Sequence, residues 1–226
     1  MRYSSYVDNC GFTLANTLQH GALFILDEVM TSRLGPAGLK GVLGLKPDLV
    51  ALGKYLGGGM PFGAFGGRAD ILNVYDPRAA SSLAHSGTFQ NNALMLNAGW
   101  TGASEVYTAE AAVKLNRKGD ELRVALNKAL KGTRMCVTGL GSLMCVHATK
   151  VGLRPDDITC KDDISPDEDM SLKKLFWLEM LQAGFWMQLR GSVALNMQLP
   201  DGVIDSFVQE VTKFCDRHRD LLVIPN

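Results

Sequence analysis

The chain has 226 residues, 46% of them hydrophobic and 20% charged, which is long enough to bury one large or two small cores and too apolar for disorder. Lysine plus arginine and aspartate plus glutamate number 23 each, so the net charge is zero and no global basic field draws in nucleic acid or an anionic membrane. The expected partner is a small molecule.

Residues 2–20 read as a helix ending at His20-Gly21, a cationic residue followed by a glycine stop. Residues 22–29, Ala-Leu-Phe-Ile-Leu-Asp-Glu-Val, form a near-continuous apolar run, the pattern of a parallel strand covered on both faces. Residues 30–47 carry Gly35, Pro36, Gly38, Gly41, Gly44 and Pro47 and read as a loop-rich connector. A second buried strand, 48–52, runs directly into Gly53-Lys54. Gly57, Gly58, Gly59 and Pro61 then turn the chain into a third segment, 62–67. A short helix over 69–74 and a longer one over 91–107 follow, and this alternation of strands and helices gives an α/β fold class.

Composition shifts near Thr108, which divides the chain into domains 1–107 and 108–226, the second a smaller α+β domain. Leu115, Leu122, Leu126 and Leu130 stand at helical spacing within 109–130. Strands are expected at 134–137 and 141–148, a solvated acidic connector at 156–169, a helix at 172–182, and a strand pair, 185–189 with 193–196, about Arg190-Gly191. The final helix places Val203, Ile204, Phe207, Val208, Val211 and Phe214 on one stripe, with Asp201 as its expected cap.

Five scattered cysteines without a Cys-x-x-Cys pair give no support to a zinc site and fit free thiols in a reducing compartment. The sequence does not open on a charged leader with an apolar core, and its longest uncharged apolar run, 135–149, is too short for a bilayer, so a cytoplasmic protein is expected.

The first two strands each deliver a charge at the carboxyl end, Asp27 and Lys54, where open α/β sheets bind ligands. Nucleotide motifs fail by count. A P-loop ending at Gly53-Lys54 meets Asp48 and Tyr55 where it needs glycine and serine or threonine, and a dinucleotide fingerprint starting at Gly57 meets Phe62 in its last place. Lys54 is then either a solvated surface amine or a nucleophile that forms a Schiff base with a carbonyl. Asp27 tilts the balance to the second, because an acid on a buried strand needs a cationic partner and a protonated pyridine nitrogen serves as one. Strand alternation puts Asp27 and Val29 on one side and Glu28 on the other.

Four segments now stand in order: Leu-Asp-Glu-Val-Met-Thr-Ser-Arg at 26–33, Pro-Asp-Leu-Val-Ala-Leu-Gly-Lys at 47–54, Gly-Gly-Gly-Met-Pro-Phe-Gly-Ala-Phe-Gly-Gly at 57–67 and Gly-Thr-Phe at 87–89. Together they resemble the class III pyridoxal-phosphate aminotransferases, and within that family the glutamate-1-semialdehyde aminomutase branch. Leu-Arg-Gly-Ser-Val-Ala-Leu-Asn at 189–196 and the final helix are similar to the family's small domain. The resemblance implies part of a fold type I large domain followed by the small domain, pyridoxal phosphate as cofactor, and transaminase or aminomutase chemistry in a homodimer or a pairing with a related chain. It gives Lys54 the Schiff base and the proton shuttle, Asp27 the pyridine nitrogen and Val29 one face of the ring. Gly87 and Thr88 would take the phosphate, usually that of the partner subunit. Arg190 and Arg33 read first as turn or interface arginines and second as partners for a substrate carboxylate. The family pattern also includes a glycine-serine phosphate loop and a ring-stacking aromatic residue ahead of the aspartate strand, and these are not in this sequence. Their absence leaves an apolar sheet edge exposed and opens an alternative reading, an inactive remnant acting as an interaction or regulatory partner of a full-length paralogue.

Overall fold

The computed structural model describes residues 19–224, and apart from its end the helix expected over 2–20 lies outside them. The described residues form two compact units divided between Val113 and Lys114.

The first unit is built on a three-stranded sheet of β1 (Ile25–Asp27), β2 (Leu49–Gly53) and β3 (Gly63–Gly67), in that order. β1 and β2 run parallel with Ile25 opposite Leu49 and Asp27 opposite Ala51, while β3 returns antiparallel and puts Phe65 opposite Ala51 and Gly63 opposite Gly53. Asp48 fastens one end of all three strands. Its carboxylate accepts the Phe24 N–H at 2.8 Å and the Arg68 guanidinium at 2.7 Å, and these two partners hold its pKa below the usual carboxylate range.

Two expectations change here. The ladder of β1 covers three residues rather than eight, and Leu23 and Ile25 are 49% and 60% exposed, because among the described residues β1 pairs on one side only. The exposed apolar edge is therefore present. The connector over 30–47 is also more ordered than its glycines and prolines suggest: it holds a 3-10 turn, Thr31–Leu34, and a helix, α1 (Gly38–Leu43). Local patterning misses this helix because its N-terminal N–H groups, those of Leu39 and Lys40, are satisfied from eleven and twelve residues away, by the buried Glu28 carboxylate. α1 stops at Gly44, whose φ of 66° is the left-handed cap. Beyond β3 come α2 (Ala69–Leu72), α3 (Ala93–Thr101) and a π-helical turn, Gly102–Val106.

α4 (Ala109–Ala129) crosses the division. In the second unit the expected leucine stripe is buried, with Leu115, Leu122, Leu126 and Leu130 at most 5% exposed. The stripe lies beside an antiparallel sheet of β4 (Met135–Leu140), β5 (Leu143–Ala148) and β6 (Ser192–Ala194). At Gly119 the helix passes so close to the β4–β5 turn that a Cβ would lie 2.0 Å from the Gly141 carbonyl oxygen. α5 (Met170–Gln182) and α6 (Val203–Arg217) meet through Phe176 and Phe214, whose rings stand edge to face at 5.1 Å. α7 (Arg219–Leu222) closes the described chain.

Three local corrections belong to this unit. Residues 185–189 form no strand; only Ser192–Ala194 pairs with β5, and the Met187 carbonyl is taken by the Trp177 indole N–H at 2.9 Å. α6 has no side-chain cap from Asp201; the residue at its N-cap is Gly202, which is left-handed at φ 78°. The acidic connector is spent on its own turns: Asp157 and Asp163 cap 3-10 turns, and Asp169 caps α5 by accepting the Ser171 and Leu172 N–H groups.

Candidate active site

The carboxyl ends of β1 and β2 carry the two charges that the apolar strands announced. Asp27 is exposed, and its Oδ1 accepts the Val29 N–H at 2.8 Å, which turns the chain out of the strand. Oδ2 has no protein partner among the described residues. The Glu28 N–H donates to the Ala51 carbonyl at 2.9 Å, so the end of β1 stays tied to β2 three residues ahead of Lys54. Val29 is half-buried beside Gly53, where a Cβ would stand 3.5 Å from Val29 Cγ1 and 3.2 Å from the Phe62 carbonyl oxygen.

Lys54 is exposed and has a φ of 56°. Among the described residues only Lys54 and Asn91 are non-glycine with positive φ. Asparagine tolerates that region; lysine enters it at a cost, and such strain concentrates at ligand and catalytic sites. Lys54 opens a 3-10 turn, Lys54–Gly57, which is pressed against α3: a Cβ on Gly58 would fall 2.4 Å from the Ala98 carbonyl, and one on Gly99 2.4 Å from the Leu56 carbonyl oxygen. The strained lysine is thus seated on a helix rather than on a free loop.

Gly87 and Thr88 lie on an exposed turn before α3, closed by the Gln90 N–H to the Gly87 carbonyl at 3.0 Å. No hydrogen bond or ion pair among the described residues links them directly to Asp27 or Lys54. Their connection runs through His85. Its ring meets Phe65 and Tyr75, both at 5.3 Å, and its Nε2 lies 2.7 Å from Gln90 Nε2. Asp27, Ala51 and Phe65 form one row across the sheet, so their side chains share a face, and His85 brings the turn over 85–90 to that face. Neither this aromatic link nor the backbone strain at Lys54 is legible in the sequence, since both depend on where residues far apart in the chain come to rest. Arg190 sits in the turn before β6 with its Nε donating to Gln188 Oε1 at 2.6 Å, a turn arginine in the second unit. The Arg33 carbonyl accepts the Tyr107 hydroxyl at 2.6 Å.

A sequence profile of the family described as aminotransferase class-III matches residues 13–195. The chain belongs to this family. A protein of Schizosaccharomyces pombe described as an uncharacterized aminotransferase is 46% identical over 202 residues, covering 89% of this chain and 45% of that protein. Glutamate-1-semialdehyde 2,1-aminomutase 2 of Bacillus pumilus is 35% identical over 174 residues, covering 76% of this chain and 38% of the aminomutase. The solved beta-phenylalanine aminotransferase from Variovorax paradoxus matches with a TM-score of 0.86 at 42% identity, over 93% of this chain and 48% of that one. This class-III chain therefore spans about half or less of the length of these relatives. Its fold is that of the fold type I pyridoxal-phosphate transferases, present as part of the large α/β domain followed by a smaller α+β domain.

Proposed function

We propose that this chain carries the lysine-bearing part of a pyridoxal-phosphate site that transfers amino groups, as a transaminase or an aminomutase, with residues 1–107 as the partial cofactor domain and 108–226 as the small domain. The observation that carries the reading is the left-handed backbone of Lys54 at the end of β2, one residue past a glycine that lies against Val29. A surface amine with no task has no reason to hold that conformation. The residues present fit the cofactor: Asp27 keeps an oxygen free at a strand end, Val29 offers an apolar side chain on the neighbouring turn, and Lys54 stands exposed on a seated turn.

When bound, the cofactor supplies a conjugated ring that takes up the electron pair left at the substrate carbon. Asp27 would hold a proton on the ring nitrogen, and the protonated ring is the form that can accept that electron pair. Val29 would pack against one ring face and keep water from it. Lys54 Nζ would hold the cofactor covalently and, as an amine, would move the proton between the substrate carbon and the cofactor carbon. The Thr88 hydroxyl and the Gly87 N–H would donate to the phosphate, in a site that would be shared with the partner subunit of a dimer. No observation among the described residues favours the inactive-remnant alternative.

The test is an absorbance titration of the purified chain with pyridoxal phosphate beside a Lys54→Ala variant. A visible band that saturates in the chain and is missing from the variant supports the reading; equal spectra in the two would end it.

A further inference from the structure

We propose that Glu28, the residue between Asp27 and Val29, is a positioning residue for that pair, and the inference rests on the cofactor reading above. Glu28 is 1% exposed, so it touches neither cofactor nor substrate. Its carboxylate is nonetheless fully employed: Oε2 accepts the Leu39 N–H at 2.8 Å and the Thr31 hydroxyl at 3.0 Å, and Oε1 accepts the Lys40 N–H at 2.8 Å. Its backbone is held as well, with its N–H on Ala51 and its carbonyl accepting the Ser32 N–H at 2.9 Å. Gly38 completes the seat, since a Cβ there would lie 2.7 Å from both carboxylate oxygens.

A buried carboxylate is costly unless charge-assisted hydrogen bonds replace its water, and here three donors and a missing Cβ are assembled around it. The crossover between β1 and β2 could be closed by an apolar side chain at far lower desolvation cost. What a carboxylate adds is direction. Two backbone N–H groups facing two oxygens fix the plane of the group, and with it the backbone on either side. Asp27 and Val29 are the two neighbours of that fixed point, and a cofactor held between an acid and an apolar contact is sensitive to displacements well under an ångström. Glu28 therefore orients the ring-nitrogen acid and the ring-face valine from the opposite side of the strand.

Three variants of the full chain test this. Glu28→Gln keeps the volume but turns an amide N–H₂ toward a backbone N–H. Thr31→Val removes one donor and leaves the carboxylate in place, a milder change that remains readable if the first variant folds poorly. Asp27→Asn serves as the spectral reference for a ring nitrogen without its acid. Each is titrated with pyridoxal phosphate while absorbance is recorded, far-ultraviolet circular dichroism is compared, and the reduced adduct is mapped.

The expected result is an adduct still on Lys54 and a retained fold, with the dissociation constant raised about tenfold in Glu28→Gln and about threefold in Thr31→Val. The absorbance of bound cofactor in Glu28→Gln is expected to move toward that of Asp27→Asn. A merely structural glutamate would lower thermal stability and leave affinity and spectrum as in the unaltered chain, and that outcome overturns the inference alone. Absence of any Lys54 adduct in the unaltered chain overturns the cofactor reading, and the inference with it.

Discussion

Lys54 holds a backbone conformation that costs an L side chain on the order of 1 kcal/mol or more, and glycine would hold it without that cost. Lys54→Gly is therefore expected to raise the unfolding free energy by about 1 kcal/mol in urea titration while removing the cofactor band, a gain in stability bound to a loss of function. His147 gives a second residue-scale prediction. It is 8% exposed, its Nε2 is engaged by the Thr138 hydroxyl at 2.7 Å, and burial, with the Lys173 ammonium as the next cause, lowers its pKa from 6.5 to about 4. The folded state thus binds its proton later than the unfolded chain does as pH falls, so stability is complete above about 6.5 and is lost between there and about 4. The loss is on the order of 3 kcal/mol, and denaturant unfolding across that window checks it. His147→Gln is expected to flatten the slope. At this scale the charges at strand ends were legible in the sequence, since Asp27 and Lys54 each interrupt an apolar run. The strain at Lys54 and the burial of His147 were not, because φ and desolvation are set by neighbours distant in the chain.

At the scale of elements, periodicity read well wherever an element's own side chains decide its fate. The leucine stripe of α4 and the Phe207, Val211 and Phe214 stripe of α6 are buried as their spacing requires. Reading failed where a partner from elsewhere decides. α1 exists because Glu28 caps it across the crossover, and residues 185–189 stay out of the sheet although their pattern suits a strand. Gly119 turns this lesson into a measurement. Replacing a mid-helix glycine by alanine ordinarily stabilises a helix by about 1 kcal/mol, but here the new Cβ would stand 2.0 Å from the Gly141 carbonyl oxygen. Gly119→Ala is expected to destabilise the chain by about 1–3 kcal/mol, and thermal unfolding reads the sign directly.

At the scale of the whole molecule, the sheet of the first unit leaves Ile25 60% exposed and Phe65 46% exposed on strands that have one neighbour each among the described residues. Such an edge pairs with other chains unless a charge blocks it. Ile25→Lys is expected to lower concentration-dependent light scattering of this 226-residue chain; unchanged scattering would show that the edge is covered in solution. No helix among the described residues is long and apolar enough to cross a membrane. The family was legible from four short segments in order, while the proposed cofactor site reads as one wall, with Asp27 and Lys54 at the ends of β1 and β2, Val29 two residues past Asp27, and Gly87 and Thr88 on a turn tied to the same sheet face through His85. The most direct test of that account is to incubate the chain with pyridoxal phosphate, reduce with borohydride and map the modified peptide by mass spectrometry. A single adduct on Lys54 is the predicted result; no adduct, or adducts spread over other lysines, would contradict it.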